Sequence, residues 1–150
     1  MISSSNFGSL NGKKRFTANI IHPNSAIDTI HIDEEAPFMD MADLFVNTLG
    51  SATGMTRKFS TIFTKNIIQC KIYVDDAFGI DIVMDGANTD ELFSPKQKVY
   101  NMLASLIVEN GTRLYGPVVV VAETPNGDHV NISRAKHFKD WIKNAKNLNI

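Results

Sequence analysis

Apolar residues recur along this chain with two periods, every second residue in some stretches and every third or fourth in others, the signatures of strands and helices with one buried side. Phe16, Ala18 and Ile20 alternate with Thr17 and Asn19. His22-Pro23-Asn24-Ser25 then supplies turn residues, and Ile30 and Ile32 alternate before Asp33-Glu34-Glu35. This predicts a hairpin with His22 near Ile27 and His31 near Ala18, the two rings apart along the ladder. From Phe38 the spacing lengthens. Phe38, Met41, Ala42, Phe45 and Leu49 share one helical face, Asp40, Asp43 and Asn47 fall opposite, and Gly50 suits the residue after the last turn.

Residues 51 to 66 fit both periods, with the alternation of Phe59, Thr61 and Phe63 favouring a strand. Ile68, Cys70, Ile72 and Val74 form one inward face, Asp75 to Gly79 a turn, and Ile80, Ile82 and Met84 a returning strand, which predicts a second hairpin. Ser94 as N-cap, Pro95 at the first helical position and Gln97 announce a helix with the stripe Val99, Leu103, Leu106 and Ile107, stopping at Gly111. After Gly116-Pro117, Val118 to Ala122 is apolar on both faces, as a strand near the centre of a covered sheet requires. Pro125-Asn126-Gly127-Asp128 turns the chain, Val130 and Ile132 make a short return strand, and Ser133 caps a last helix.

Strands arriving in hairpins with helices between them predict an α+β class: an antiparallel or mixed sheet of about five to seven strands with three helices. Residues 1–12, rich in Ser, Asn and Gly, read as a loose arm ahead of one α+β domain over 13–150.

Composition changes this picture little: 43% apolar and 21% charged residues describe an ordinary globular chain. The absence of a long apolar run or signal-like start predicts residence inside a cell or virion. Charge is more informative. Residues 1–27 carry a net +3, residues 28–94 a net −8 and residues 95–150 a net +4 within a total of −1, a segregation able to steer charged partners.

The chemical motifs are sparse. Gly8 to Lys14 imitates a phosphate-binding loop but has too few residues between its glycines, and Lys14 stands where Ser or Thr is needed. His22, His31, His129 and His137 lie on different elements without a second ligand at a zinc-like spacing, so neither metal nor cofactor is expected. Cys70 belongs to an inward face and reads as a core thiol. Asp75, Asp76, Asp81, Asp85, Asp90 and Glu91 read as solvated acids at turns and on outward strand faces. In the last helix Lys136, Lys139, Lys143 and Lys146 form one strip opposite Phe138, Trp141, Ile142, Ala145 and Leu148. With Lys13, Lys14 and Arg15, these lysines are the candidate anion-binding residues.

Ile72-Tyr73-Val74-Asp75-Asp76, Asn88 and Leu114-Tyr115-Gly116-Pro117 followed by four valines together resemble a family of uncharacterised small proteins of phages, mobile elements and large DNA viruses. The resemblance spans about residues 15 to 132. The chain departs from the family at Asp76, where Glu is more frequent, and at Asn88, which stands well upstream of its usual place before the helix. The resemblance implies an accessory protein of unknown activity and carries over no catalytic residue. Three functions follow as expectations. The first is a non-enzymatic interaction protein, an accessory or minor virion component with a protein partner and an edge strand able to dimerise. The second is a nucleic-acid or anionic-surface binder using the basic helix. The third is an acid–base enzyme at Asp75 and Asp76.

Overall fold

The computed structural model describes residues 14–63, 67–78, 83–84, 87–88 and 99–147. In chain order the strands are β1 (Arg15–Ile21), β2 (Ile27–Asp33), β3 (Thr56–Ser60), β4 (Gln69–Asp75), β5 (Val83–Met84), β6 (Ala87–Asn88), β7 (Val118–Glu123) and β8 (His129–Val130). The helices are α1 (Pro37–Asn47), α2 (Met102–Ile107) and α3 (Lys136–Asn147), with 3-10 turns at Asp76–Phe78, Glu109–Gly111 and Ile132–Arg134. The arm 1–12, Lys13, the returning residues Ile80 and Ile82, the acids Asp81, Asp85, Asp90 and Glu91, and the Ser94–Gln97 helix start lie outside the described residues.

Six strands form one antiparallel sheet in the order β2-β1-β7-β4-β3, with β8 also paired to β7. β4 takes one edge of β7 along Val119 to Glu123, so β1 and β8 share the other, β1 at Val118 to Val120 and β8 at Ala122 and Glu123. Every residue of β7 is buried. The valine run therefore sits where its two apolar faces place it, each valine contributing about 1.5–3 kcal/mol of burial free energy. Alternation divides the core. Ile72, Val74, Val118 and Val120 pack under α2 and α3 with Leu103, Ile107 and Phe138, while Phe16, Ile20, Tyr73, Val119 and Val121 pack under α1 with Met41 and Phe45. The class is thus α+β with an antiparallel sheet, as the order of elements predicts.

The first hairpin forms with Ile21 opposite Ile27 and His31 opposite Thr17, one residue from the predicted register. In α1, Met41 and Phe45 are buried as expected, but Phe38 at the first turn is 55% exposed. The Thr48 and Leu49 N–H groups both donate to the Leu44 carbonyl, and Gly50 follows at φ 85°.

Three expectations fail for identifiable reasons. Both edges of β4 are occupied, by β3 and β7, so the predicted hairpin back onto it is not made; Met84 pairs with Ala87 instead. The expected start at Ser94 lies outside the described residues, but Val99 of its stripe is not helical and α2 begins at Met102, because Gly116 N–H donates to the Val99 carbonyl and Tyr100 bridges Tyr115, which draws residues 99 and 100 into extended pairing. Val99 and Leu106 are consequently exposed. Ser133 lies inside a 3-10 turn, and α3 starts three residues beyond it. The ambiguous stretch contains β3, with Thr61 adding one bridge to Val108 and residues 64–66 outside the described set.

The cap of α2 is Asn101, fully buried. Its Oδ1 accepts from Ala104 N–H at 3.1 Å, while Nδ2 donates to the Ile21 carbonyl at 2.9 Å and the Gly116 carbonyl at 2.8 Å. One amide thereby joins the end of β1, the approach to β7 and the start of α2. Gly116 holds φ 71°, and a Cβ there would meet Phe78 Cγ at 2.6 Å, so no other residue fits. Asn101→Ala removes the cap and strands two buried carbonyls. It is expected to lower the unfolding free energy by about 2–4 kcal/mol, measured by urea denaturation. Asn101→Asp, which keeps the cap but loses both donors, is expected to be nearly as damaging.

Candidate functional site

Lys136, Lys139 and Lys143 of the predicted basic residues lie on α3, on one side of the sheet. Phe138 and Ala145 are buried and Trp141 and Ile142 half-buried, with Phe63 set edge-on to Phe138 and Trp141 at 6.1 and 6.3 Å. This fixes the opposite strip outward. Lys136, Lys139 and Lys143 are exposed, and among the described residues none of them pairs with an acid. Lys146 belongs to the helix, and its side chain lies outside the described set. Arg134, one turn earlier, is also exposed.

Arg15 joins this side by strand parity. It alternates with Phe16, whose ring faces α1, and shares its face with Ile21 under α2 and α3. Thr17 N–H donates to Asn131 Oδ1 at 2.9 Å, and Ile132 N–H donates to Thr17 Oγ1 at 3.2 Å, tying β1 to the segment leading into α3. Arg15 is the next residue along that face, about 7 Å from Thr17. Its cross-strand partner is Asp33, so the lysines of α3 rather than Arg15 dominate the positive surface. Lys14 is exposed just before β1.

Asp75 and Asp76 do not form a pair. Asp75 is 0% exposed, which overturns its reading as a solvated turn acid. Its Oδ1 accepts from Ser51 Oγ at 2.7 Å and Ala77 N–H at 2.8 Å, and Ser51 Oγ accepts in turn from the Thr53 and Gly54 N–H groups at 3.1 Å. Asp76 instead accepts from Arg57 Nε at 2.7 Å. The first carboxylate folds the loop before β3 onto the end of β4, and the second clamps β3.

A second polar group, absent from the predicted sites, converges under the first turn of α1. Lys58, Tyr73, Glu123 and His129 come from β3, β4, β7 and β8 and point to the α1 side. Glu123 is 5% exposed; Lys58 Nζ lies 3.0 Å from its Oε2, and His129 Nε2 lies 3.6 Å from the same oxygen. The lysine contact is a charge contact without hydrogen-bond alignment, and the histidine is too distant to donate. Tyr73 Oη, buried, has no partner either. The His129 ring stacks on Phe16 at 4.7 Å and 4°, and Phe38 sets its edge over Tyr73 and His129 at 5.7 and 6.4 Å. Burial holds the His129 pKa below its ordinary value despite the neighbouring Glu123, and burial with the Glu123 charge raises that of Tyr73. The result is a lysine–carboxylate pair beside a neutral imidazole and a neutral phenol.

The remaining candidates scatter. His22 pairs with Asp28 at 2.8 Å, and His31 and His137 are exposed. No group of three His, Cys, Asp or Glu side chains among the described residues is arranged to hold a metal. Cys70 is a core thiol whose pKa burial pushes up to about 12. No described helix is long and apolar enough to cross a membrane. The class these features define is an α+β protein with helices on both faces of an antiparallel sheet, one face bearing exposed lysines of α3 with Asp140 among them. No family model, curated protein or solved structure matches the chain.

Lys58→Met leaves Glu123 buried without compensation. Because Lys58 is 43% exposed, the expected loss is about 1–3 kcal/mol, below that for a fully buried pair. Lys58→Met with Glu123→Gln is expected to recover most of it in chemical denaturation.

His129 gives a pH test. Its folded pKa is depressed, so the unfolded chain binds the proton more readily and stability falls as the pH is lowered. This contribution is complete above about pH 6.5 and is lost as pH drops through the lower folded value. Melting temperatures followed from neutral to mildly acidic pH are expected to fall more steeply for the wild type than for His129→Leu; parallel curves would show that His129 does not titrate in this way.

Proposed function

We propose that the chain is a nucleic-acid-binding protein whose contact face is the lysine row of α3, extended by Arg134, Lys14 and Arg15. The observation that carries this reading is the display of Lys136, Lys139 and Lys143 on a helix anchored by its apolar strip, exposed and without acidic partners among the described residues. Three features support it. A rigid helix holds the ammonium groups about one turn apart, so little order is lost on binding. The positive end of the helix dipole lies at Lys136, beside Arg134, and adds to the field there. α3 itself carries four lysines against one acid, Asp140, while the acids of α1 lie on the opposite face of the sheet.

Lysine-dominated contacts without base-reading side chains recognise phosphates, so the binding is sequence-tolerant and electrostatic. Such a protein suits the accessory role in a virus or mobile element that the family resemblance implies.

Fluorescence anisotropy with labelled single-stranded and duplex DNA tests the reading. For about four phosphate contacts, affinity should fall roughly a hundredfold between 50 and 200 mM salt. Replacing Lys136, Lys139 and Lys143 with Gln should weaken binding to all sequences alike and reduce the log–log salt slope by about three. Unchanged DNA affinity in the triple variant would remove the proposal, as would binding confined to anionic lipid vesicles.

A further inference from the structure

The sheet ends on one side at β2, whose outer edge is unpaired among the described residues. The phase of its ladder follows from two hydrogen bonds, His22 N–H to the Ala26 carbonyl and Glu34 N–H to the Lys14 carbonyl. Even-numbered residues of β2 therefore face β1, and the N–H and C=O groups of Ile27, Thr29 and His31 face outward. Asp33 N–H, the next outward donor, is taken by Asp40 Oδ2 at 3.0 Å, which closes that end of the edge. β2 pairs with β1 over seven uninterrupted positions and holds no Pro, Lys or bulge, the usual devices that blunt an edge.

Beside this edge runs a groove of about 270 Å³ between β2 and α1, lined by Ile30, His31, Asp40, Asp43, Leu44 and Asn47 among others. Ile30 and Leu44 give it an apolar floor, and Asp40 and Asp43 give it a charged wall. No Lys or Arg stands anywhere between Arg15 and Arg57, while Asp28, Asp33, Glu34, Glu35, Asp40 and Asp43 all do. An acidic edge repels a second copy of itself and attracts a basic strand.

We propose that the outer edge of β2 and the groove beside α1 form a docking site for an extended basic peptide of a partner protein, which adds to the sheet as a further strand. Its backbone meets Ile27, Thr29 and His31. Its side chains on the α1 side, at every second position, are alternately aliphatic over Ile30 and Leu44 and basic towards Asp40 and Asp43. Backbone pairing supplies affinity, and the acidic wall supplies the preference for Lys and Arg. This surface is separate from the lysine row of α3.

A blocked peptide of alternating Lys and Val, titrated against the ¹⁵N-labelled full chain, is the probe. Chemical-shift changes are expected along β2 and α1, with no comparable binding of a Glu-Val peptide. Thr29→Pro deletes an outward N–H at an edge position that accommodates proline, and should weaken binding at least about tenfold. Asp43→Lys leaves the strand backbone untouched and should reverse the preference towards the Glu-Val peptide, so the test stands even where the proline variant folds poorly. Undiminished Lys-Val binding in Asp43→Lys, shifts confined to other surfaces, or self-association through β2 in sedimentation would each overturn the proposal.

Discussion

A strand with no solvent on either face and a neighbour on either edge leaves its surroundings little freedom, and Val118–Glu123 is such a strand. Its valines demand a cover on both sides, which α1 provides on one and α2 with α3 on the other. Its backbone demands partners on both edges, which β4 provides on one and β1 with β8 on the other. Where it begins, the buried amide of Asn101 and the Cβ-free approach of Gly116 to Phe78 fix how the chain enters the interior. Where it ends, the strand carries Glu123 inside with it, and Lys58 from two strands away offsets that charge.

The same central layer keeps opposite charges apart. Because α1 and α3 pack on different faces, the acids of α1 and the lysines of α3 are separated by the thickness of the sheet rather than paired across an interface. Arg15, from the start of the chain, does stand opposite Asp33. Among the described residues, a chain of almost no net charge thus carries the acids of α1 on one face of the sheet and the lysines of α3 on the other.

Elements whose own residues decide them were legible in the sequence: the first hairpin from its turn, α1 from its three-and-four spacing, β7 from its two-sided run, and the face of α3 from its strip. Elements decided by distant partners were not. Residues 99 and 100 carry helical spacing but lie extended because Tyr115 and Gly116, which follow α2, pair with them. The return onto β4 was reasonable locally, yet β7, far downstream, already holds that edge. The acid at 75 was read from its turn position, where carboxylates usually meet water, but Ser51, on a separate loop, draws it inside.

The buried group under α1 shows both kinds of legibility at one site. Glu123 closes the valine run, and the Pro125–Asp128 turn lies between it and His129, so the turn alone implies that these two side chains stand opposite each other on one face. That pairing was available from the sequence, and the strength of the turn signal made it the natural place to look for a converging acid and imidazole. Lys58 and Tyr73 were not available, because they reach the same spot only through the β3–β4–β7 order that a sequence does not display. Burial then sets the chemistry: it disfavours imidazolium and phenolate alike, so Glu123 gains its positive partner from the long, half-exposed lysine at 3.0 Å rather than from the ring at 3.6 Å. Phe16 and Phe38 hold the imidazole flat and covered, and the group persists as a neutral imidazole and phenol around one ion pair.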